Sequence, residues 1–492
     1  MTAIDTFSVA VLLVALALII AVYTSRLSEW IRIPTPALFL IAGAAAGNLV
    51  PALGSASTLF DERVVTIALV FILFDGGMHI GWSRFTVAAG AITWLGVAGT
   101  AVTAAAIAAL SHFLFGFDWL PSLLLGAALS PTDPAVVFSV LGKREIAGRT
   151  STILEGESGA NDPVGIALLA SLLGATGVGW SAVGSGALDF ALQMVIGVAV
   201  GVAGGFGLAF VLRRLSLPNE ALHSLQTLAF AILIYAAGTL AHGSGFLAVF
   251  VAGILVGDVR APYKREIKRF SAGIASLAEI VAFAVLGLSI RFEDLAKPGV
   301  LWIGLALAGL LVLVVRPLLV GIVSLPIRLT FGERAFVLLA GLKGAVPILL
   351  GMFILSSGIP GAHEIYAIIF IVVLVSVIVQ GGLVPVMTRA FRIRTHIEIP
   401  RPWTVDIRFA EPPKGLTRNR VETGSIADGL TVAELATKDV GWISMIGRDG
   451  LLVPIDPSTT VRAGDTVLTQ SAPGVDLHRI FSASDGHSRR TN

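Results

Sequence analysis

Residues 155–163, Glu-Gly-Glu-Ser-Gly-Ala-Asn-Asp-Pro, place three carboxylates, an amide and a hydroxyl inside an apolar stretch running from about Thr150 to Gly174. About 20 residues, rising about 1.5 Å each, cross a bilayer, so the stretch is long enough to span one. Asp162 falls near its middle, where an acidic group costs about 2.5–3.5 kcal/mol on insertion scales. A carboxylate kept there marks an ion path: burial penalises its charged form, and a bound proton or cation relieves the penalty. The competing reading is a neutral polar cluster that only pins helices together.

Helix geometry separates the acids. At about 100° per residue, Asn161 lies about 40° from Glu157, whereas Asp162 lies about 140° from it. Ser158 and Asp162, four apart, share a stripe. Glu157 and Asp162 therefore cannot both face one small site, and one of them needs a basic partner on a neighbouring helix. Pro163 lacks an N–H and removes the partner of the Gly159 carbonyl, which predicts a kink beside the acids.

The surrounding chain is built for lipid. It has 492 residues, 55% of them hydrophobic and 13% charged, with a mean hydropathy of +0.88. That composition excludes a soluble globular protein and defines an all-α polytopic membrane protein. A net charge of +2 gives no nucleic-acid signal, and the absence of cysteine excludes disulfides and thiolate metal sites. Thirteen apolar spans are predicted, near 7–24, 33–50, 63–82, 87–115, 119–142, 150–174, 187–212, 221–241, 243–257, 270–290, 298–324, 333–357 and 364–390. With the N-terminus outside, eighteen loop lysines and arginines fall on the inner side and three on the outer, the bias expected of cytoplasmic loops. Residues 400–492 hold 22 of the 66 charges, so a boundary at 398 separates a membrane domain from a cytoplasmic one.

Two spans are interrupted. The fifth contains Ser-Pro-Thr-Asp-Pro (130–134) and the twelfth Gly-Leu-Lys-Gly-Ala-Val-Pro (341–347). Broken helices expose backbone groups that hydrocarbon cannot satisfy unless they line a polar cavity. Lying seven spans apart, the two run in opposite directions, the mark of inverted repeats with a site at the midplane. Eight charged residues fall within spans: Asp75, Asp133, Glu155, Glu157, Asp162, Glu279, Arg316 and Lys343. At about 3 kcal/mol each they would outweigh a net stability of about 5–15 kcal/mol, so they must be paired, hydrated or neutral. Glu157 with Arg316 is the expected ion pair, and Lys343 adds core charge near the crossing. Glu155 is read as hydrated near the inner interface, and Gln226 and Gln380 as bonds between helices. No nucleophile–base arrangement, zinc-ligand spacing or phosphate loop appears, so neither an enzyme nor a cofactor is expected.

Phe-Asp-Gly-Gly (74–77), Thr-Asp-Pro (132–134), Glu-Ser-Gly-Ala-Asn-Asp-Pro (157–163), Glu279 with Leu-Gly (286–287), and the run from Gly341 to Pro347 together resemble the monovalent cation/proton antiporters. The branch is that of the bacterial NhaP-type proteins and animal sodium/proton exchangers. By that resemblance Asp162 binds cation or proton, and Asn161, Ser158, Thr132 and Asp133 complete or shape the site. Glu157 becomes the non-transporting acid held by a basic partner. Spans 4–6 and 11–13 form a moving core and the rest a homodimerisation domain, in a bacterial plasma membrane. One departure is Lys343, where the family usually has arginine; lysine loses its proton when buried far more readily.

The tail resembles the C-terminal subdomain of TrkA/RCK regulators through Leu-Thr-Val-Ala-Glu-Leu (430–435), residues 448–454 and residues 463–468. The expected organisation is a linker at 399–414, a small α/β module at 415–480 and a disordered tail at 481–492. Within the module a helix is expected at 430–438, and strands at Trp442–Ile446, Leu451–Ile455 and Thr466–Gln470. A nucleotide-type ligand or subunit pairing is implied for it. The function expected is exchange of K⁺ or Na⁺ for H⁺, the two competing at Asp162, by electroneutral alternating access. A cation channel gated by the tail is the rival reading; it lacks a filter-like Thr-Val-Gly-Tyr-Gly run.

Overall fold

Gly81 bends a helix of 37 residues. In the computed structural model Thr58–Trp94 is helical on both sides of it, while Gly81 itself has φ 67° and ψ 164°, a backbone that glycine adopts without penalty. The Asp258 carboxylate fills the space a β-carbon would need there, and its Oδ2 accepts from the Ser83 backbone N–H at 2.7 Å. This bend divides the predicted spans 63–82 and 87–115. The structure describes residues 34–49, 58–141, 144–146, 148–174, 180–215, 217–397, 416–436, 442–448, 451–470 and 478–482. The predicted span 7–24 and linker 399–414 lie outside them. The chain divides into two compact units, Met1–Glu398 and Ile399–Asn492.

The first unit is mostly helical. Among the described residues its helices are α1 (Thr35–Leu49), α2 (Thr58–Trp94), α3 (Thr100–Phe115), α4 (Trp119–Leu129), α5 (Ala135–Leu141), α6 (Arg149–Gly174) and α7 (Trp180–Arg214). They continue as α8 (Glu220–Leu240), α9 (Gly245–Gly257), α10 (Lys264–Leu288), α11 (Phe292–Leu295), α12 (Val300–Leu310), α13 (Gly321–Val323), α14 (Phe331–Leu339), α15 (Ala345–Ser356), α16 (Ala362–Val375) and α17 (Gly381–Ala390). Helix occurs at every predicted span from 33–50 onward. Among the described residues six helical stretches are long and apolar enough to cross a membrane. Three short π-helical segments, Leu95–Gly99, Leu311–Val320 and Ser376–Gln380, are spliced into them. Such segments widen a helix locally and are common at functional sites.

Both predicted interruptions are real breaks. Residues 130–134 separate α4 from α5, and residues 340–344 separate α14 from α15. A two-stranded antiparallel sheet was not visible in the sequence: β1 (Arg144–Ile146) pairs with β2 (Thr395–Ile397), with Glu145 opposite His396. Each strand has three residues, too few to display a period, and the two lie far apart in the chain.

The second unit holds a four-stranded antiparallel sheet in the order β3 (Leu416–Arg420), β6 (Thr466–Gln470), β4 (Trp442–Arg448), β5 (Leu451–Val453). Helix α18 (Val432–Ala436) starts at a capping box, Thr431 N–H to Glu434 Oε2 at 2.8 Å and Glu434 N–H to Thr431 Oγ1 at 3.3 Å. The edge strand β3 escapes sequence reading because Leu-Thr-Arg-Asn-Arg has a single apolar residue; charges on an edge discourage further pairing. Phe481, in α19 (His478–Phe481), is 2% exposed and packs with Val421, Leu435, Ile446 and Val467. The folded unit therefore reaches Ser482, past the expected boundary at 480, because a large apolar side chain there completes the core.

Asp465, 1% exposed, is gripped by Arg448, with Nε–Oδ1 at 2.9 Å and Nη2–Oδ2 at 2.8 Å, and also accepts from Arg462 N–H at 2.8 Å. Charge-assisted hydrogen bonds of this kind contribute about 1.5–3 kcal/mol each. Asp465→Ala should therefore loosen the second unit by about 2 kcal/mol. Limited proteolysis of the full-length protein would read this as faster cleavage within 416–482, with the first unit unaffected.

Candidate functional site

The two breaks meet. Asp133 N–H donates to the Leu342 carbonyl at 2.8 Å, an isolated antiparallel bridge between the two interrupted helices. Neither stretch can continue its own hydrogen-bond ladder at its proline, so each supplies partners to the other. Gly344 is required at this crossing, because a β-carbon on it would overlap the Asp133 carboxylate.

A buried cation closes the first half of each broken helix. Lys343, 0% exposed, donates from Nζ to the Ser130 carbonyl at 3.1 Å and the Pro131 carbonyl at 2.8 Å, beyond the end of α4. Arg316, 2% exposed, donates from Nε to the Leu338 carbonyl at 2.8 Å and from Nη2 to the Val337 carbonyl at 3.3 Å, at the end of α14. Helix C-termini carry unpaired carbonyls and partial negative charge, and a cation satisfies both at once. Arg316 lies in the π-helical segment 311–320, beside Pro317.

Helix α6 adds the acids. Arg316 Nη2 also lies 3.1 Å from Glu157 Oε1, an ion pair with both side chains buried. Lys343 thus turns to carbonyls, and Arg316 takes the carboxylate. Asn161 braces α6 to the first break: its Nδ2 donates to Thr132 Oγ1 at 2.7 Å, and its Oδ1 accepts from Thr132 N–H at 3.2 Å. Asp162 is 7% exposed, and its Oδ1 has no hydrogen-bond partner among the described residues. A buried carboxylate oxygen without a protein partner is costly and rare, which suits the group to taking up a proton or a cation.

That carboxylate lines a cavity of about 1050 Å³ together with Asp133, Ser158, Glu279, Asp75 and Glu155. Asp75 and Glu279, weighed from the sequence as structural or access-path groups, both face this space. Glu155 is not merely hydrated, as the sequence suggested. Its Oε2 pairs with Arg84 Nη2 at 2.9 Å and its Oε1 accepts from Ser151 Oγ at 2.7 Å. Arg84 comes from α2 beyond the Gly81 bend, so its approach to α6 was not deducible from spacing. Nearby, His79 Nδ1 stands 3.5 Å from Asp75 Oδ2.

Ser376 and Gln380 are also part of this neighbourhood. Ser376 Oγ accepts from Lys343 N–H at 2.9 Å and donates to Gln380 Oε1 at 2.8 Å, while Gln380 Nε2 donates to the Leu339 carbonyl at 2.5 Å. A polar pair four residues apart in an apolar span was the only available signal.

Opposed broken helices with buried charges around an acid-lined cavity make up a membrane transporter fold, not an enzyme. Residues 13–390 match the family described as sodium/hydrogen exchanger, transmembrane, and the chain belongs to it. It is 35% identical over 408 residues to the K(+)/H(+) antiporter NhaP of Alkalimonas amylolytica, covering 81% of this chain and 68% of that one. It is 33% identical to the K(+)/H(+) antiporter NhaP2 of Shewanella oneidensis, over 97% of this chain and 83% of the relative. The fold is similar to that of the sodium proton antiporter MjNhaP1 of Methanocaldococcus jannaschii, with a TM-score of 0.66 at 22% identity, covering 76% of this chain and 99% of that one.

Proposed function

We propose that this protein exchanges a monovalent cation for protons, with Asp162 as the shared binding group and K⁺ the first candidate cation, Na⁺ the second. The observation that carries the reading is the buried, unpartnered Asp162 oxygen on an acid-lined cavity. Burial disfavours the bare carboxylate, so a proton or a cation must neutralise it, and the two compete. Asp133, Ser158, Thr132 and Asn161 complete or shape the site; the Asn161–Thr132 pair holds the first break against α6. Glu157 stays neutralised by Arg316 and takes no part in transport.

Competition at one group is sufficient for exchange. A loaded, neutral site can cross while the bare acid resists, which couples the two fluxes in alternating access and predicts electroneutral stoichiometry. Thirteen spans arranged as inverted repeats, an outside N-terminus, a cytoplasmic second unit and a homodimer belong to the same reading. The names of the relatives favour potassium, and the basic bias of the inner loops favours the orientation. The resemblance of 415–480 to TrkA/RCK subdomains supports a regulatory module that acts through a nucleotide-type ligand or through subunit pairing.

Proton flux in proteoliposomes, driven by K⁺, Na⁺ or Li⁺ gradients across a range of pH, tests the proposal. Cation-dependent proton movement with almost no current is expected; large currents would support a channel instead. Removing residues 400–492 should leave exchange in place and change its regulation.

A further inference from the structure

The break in the second crossing element leaves a specific debt. In a continuous helix the Lys343 N–H would donate to the Leu339 carbonyl, four residues back. Helix α14 stops at Leu339, and that bond is not made. Its two ends are joined instead through side chains of the π-helical segment 376–380. Lys343 N–H reaches Ser376 Oγ at 2.9 Å, Ser376 Oγ reaches Gln380 Oε1 at 2.8 Å, and Gln380 Nε2 reaches the Leu339 carbonyl at 2.5 Å. Ser376 and Gln380 are 3% and 5% exposed, so water does not substitute easily for either. With Arg316 on the Val337 and Leu338 carbonyls, all three last carbonyls of α14 are taken by side chains.

We propose that Ser376 and Gln380 are positioning residues of the exchange reaction, a two-side-chain relay that replaces the lost Lys343-to-Leu339 bond and so holds the break open. The inference rests on the antiport reading above. The break has two dependent contacts. Lys343 Nζ sits on the Ser130 and Pro131 carbonyls, and the Leu342 carbonyl receives Asp133 N–H. Both fix the segment that carries Thr132 and Asp133 beside Asp162. Without the relay, the buried Lys343 N–H and the part-buried Leu339 carbonyl are both left unpaired, which drives the segment toward closing its own helical turn. Closure would draw Lys343 and Leu342 away from 130–133.

The test uses the full-length protein with Ser376→Ala, Gln380→Met, the double variant and Ser376→Thr. Amide hydrogen exchange of the segment 339–345 should quicken about tenfold in either single variant, the loss of one buried hydrogen bond. The cation KM of proton exchange should rise about tenfold, as it does when the support of a binding group is removed, with the maximal rate little changed. The double variant should cost less than the product of the two single effects, because the Ser376–Gln380 bond couples the two ends of the relay. Ser376→Thr, which keeps the hydroxyl, should restore both readouts. Unchanged amide exchange would overturn the relay. Faster exchange with an unaltered KM, or effects that multiply in the double variant, would reduce the pair to ordinary packing. A wild-type protein without cation-dependent proton flux would instead refute the antiport reading, while the amide exchange still reports on the relay.

Discussion

Asp162→Asn should abolish cation-driven proton movement in proteoliposomes while the protein remains folded. The substitution keeps the size of the side chain and removes its charge, so nothing is left for a proton and a metal ion to compete over. Because Asp162 Oδ1 has no partner among the described residues, replacing the carboxylate breaks no bond to that atom. The neutral amide also avoids the penalty of a buried charge, so thermal stability in detergent should be equal or higher. Loss of exchange with undiminished stability separates a transport group from a structural one. Residual cation-dependent flux above that of empty liposomes would sink the assignment and direct attention to Asp133 or Glu279, which share the cavity.

The second large effect concerns folding. Arg316→Ala strips the partner from Glu157 and simultaneously bares the Val337 and Leu338 carbonyls. Breaking a buried ion pair from one side costs about 3–5 kcal/mol, against a net stability of about 5–15 kcal/mol for a domain. Little monodisperse protein should be recovered, and its unfolding temperature should drop sharply. Glu157→Gln removes the counter-charge of Arg316 but should be milder, because Arg316 keeps both carbonyls and the amide oxygen can still accept a hydrogen bond. Equal losses for the two variants would mean that the carboxylate alone accounts for the arginine's role. Normal yield and normal transport in Arg316→Ala would overturn the account of this residue altogether.

The difference between the two variants follows from how each charge is satisfied. Arg316 fans three contacts from a planar fork, an arrangement suited to carbonyls and a carboxylate together. Lys343 directs a single ammonium at two carbonyls.

Helical angles alone were enough to send Glu157 and Asp162 toward different neighbours, because the backbone hydrogen-bond ladder fixes about 100° per residue whatever surrounds it. Proline and glycine at 131, 134, 344 and 347 likewise announced the breaks, since proline removes a backbone donor that a continuous helix in lipid requires and glycine adds backbone freedom that weakens one. Apolar runs located the helices for the same local reason. Pairings across the fold had no such signature. Arg84 against Glu155, β1 against β2, and Ser376 with Gln380 across the break at 340–344 join segments separated by tens to hundreds of residues. Strand β3 carried too few apolar residues to show a period, and Phe481 looked like part of a tail until its burial was seen. Local chain chemistry thus defines the class of protein, the breaks and the candidate carboxylate, because each is a property of consecutive residues. Which cation answers which carbonyl is set by packing, where a few ångströms of helix placement choose among several partners of equal chemical merit.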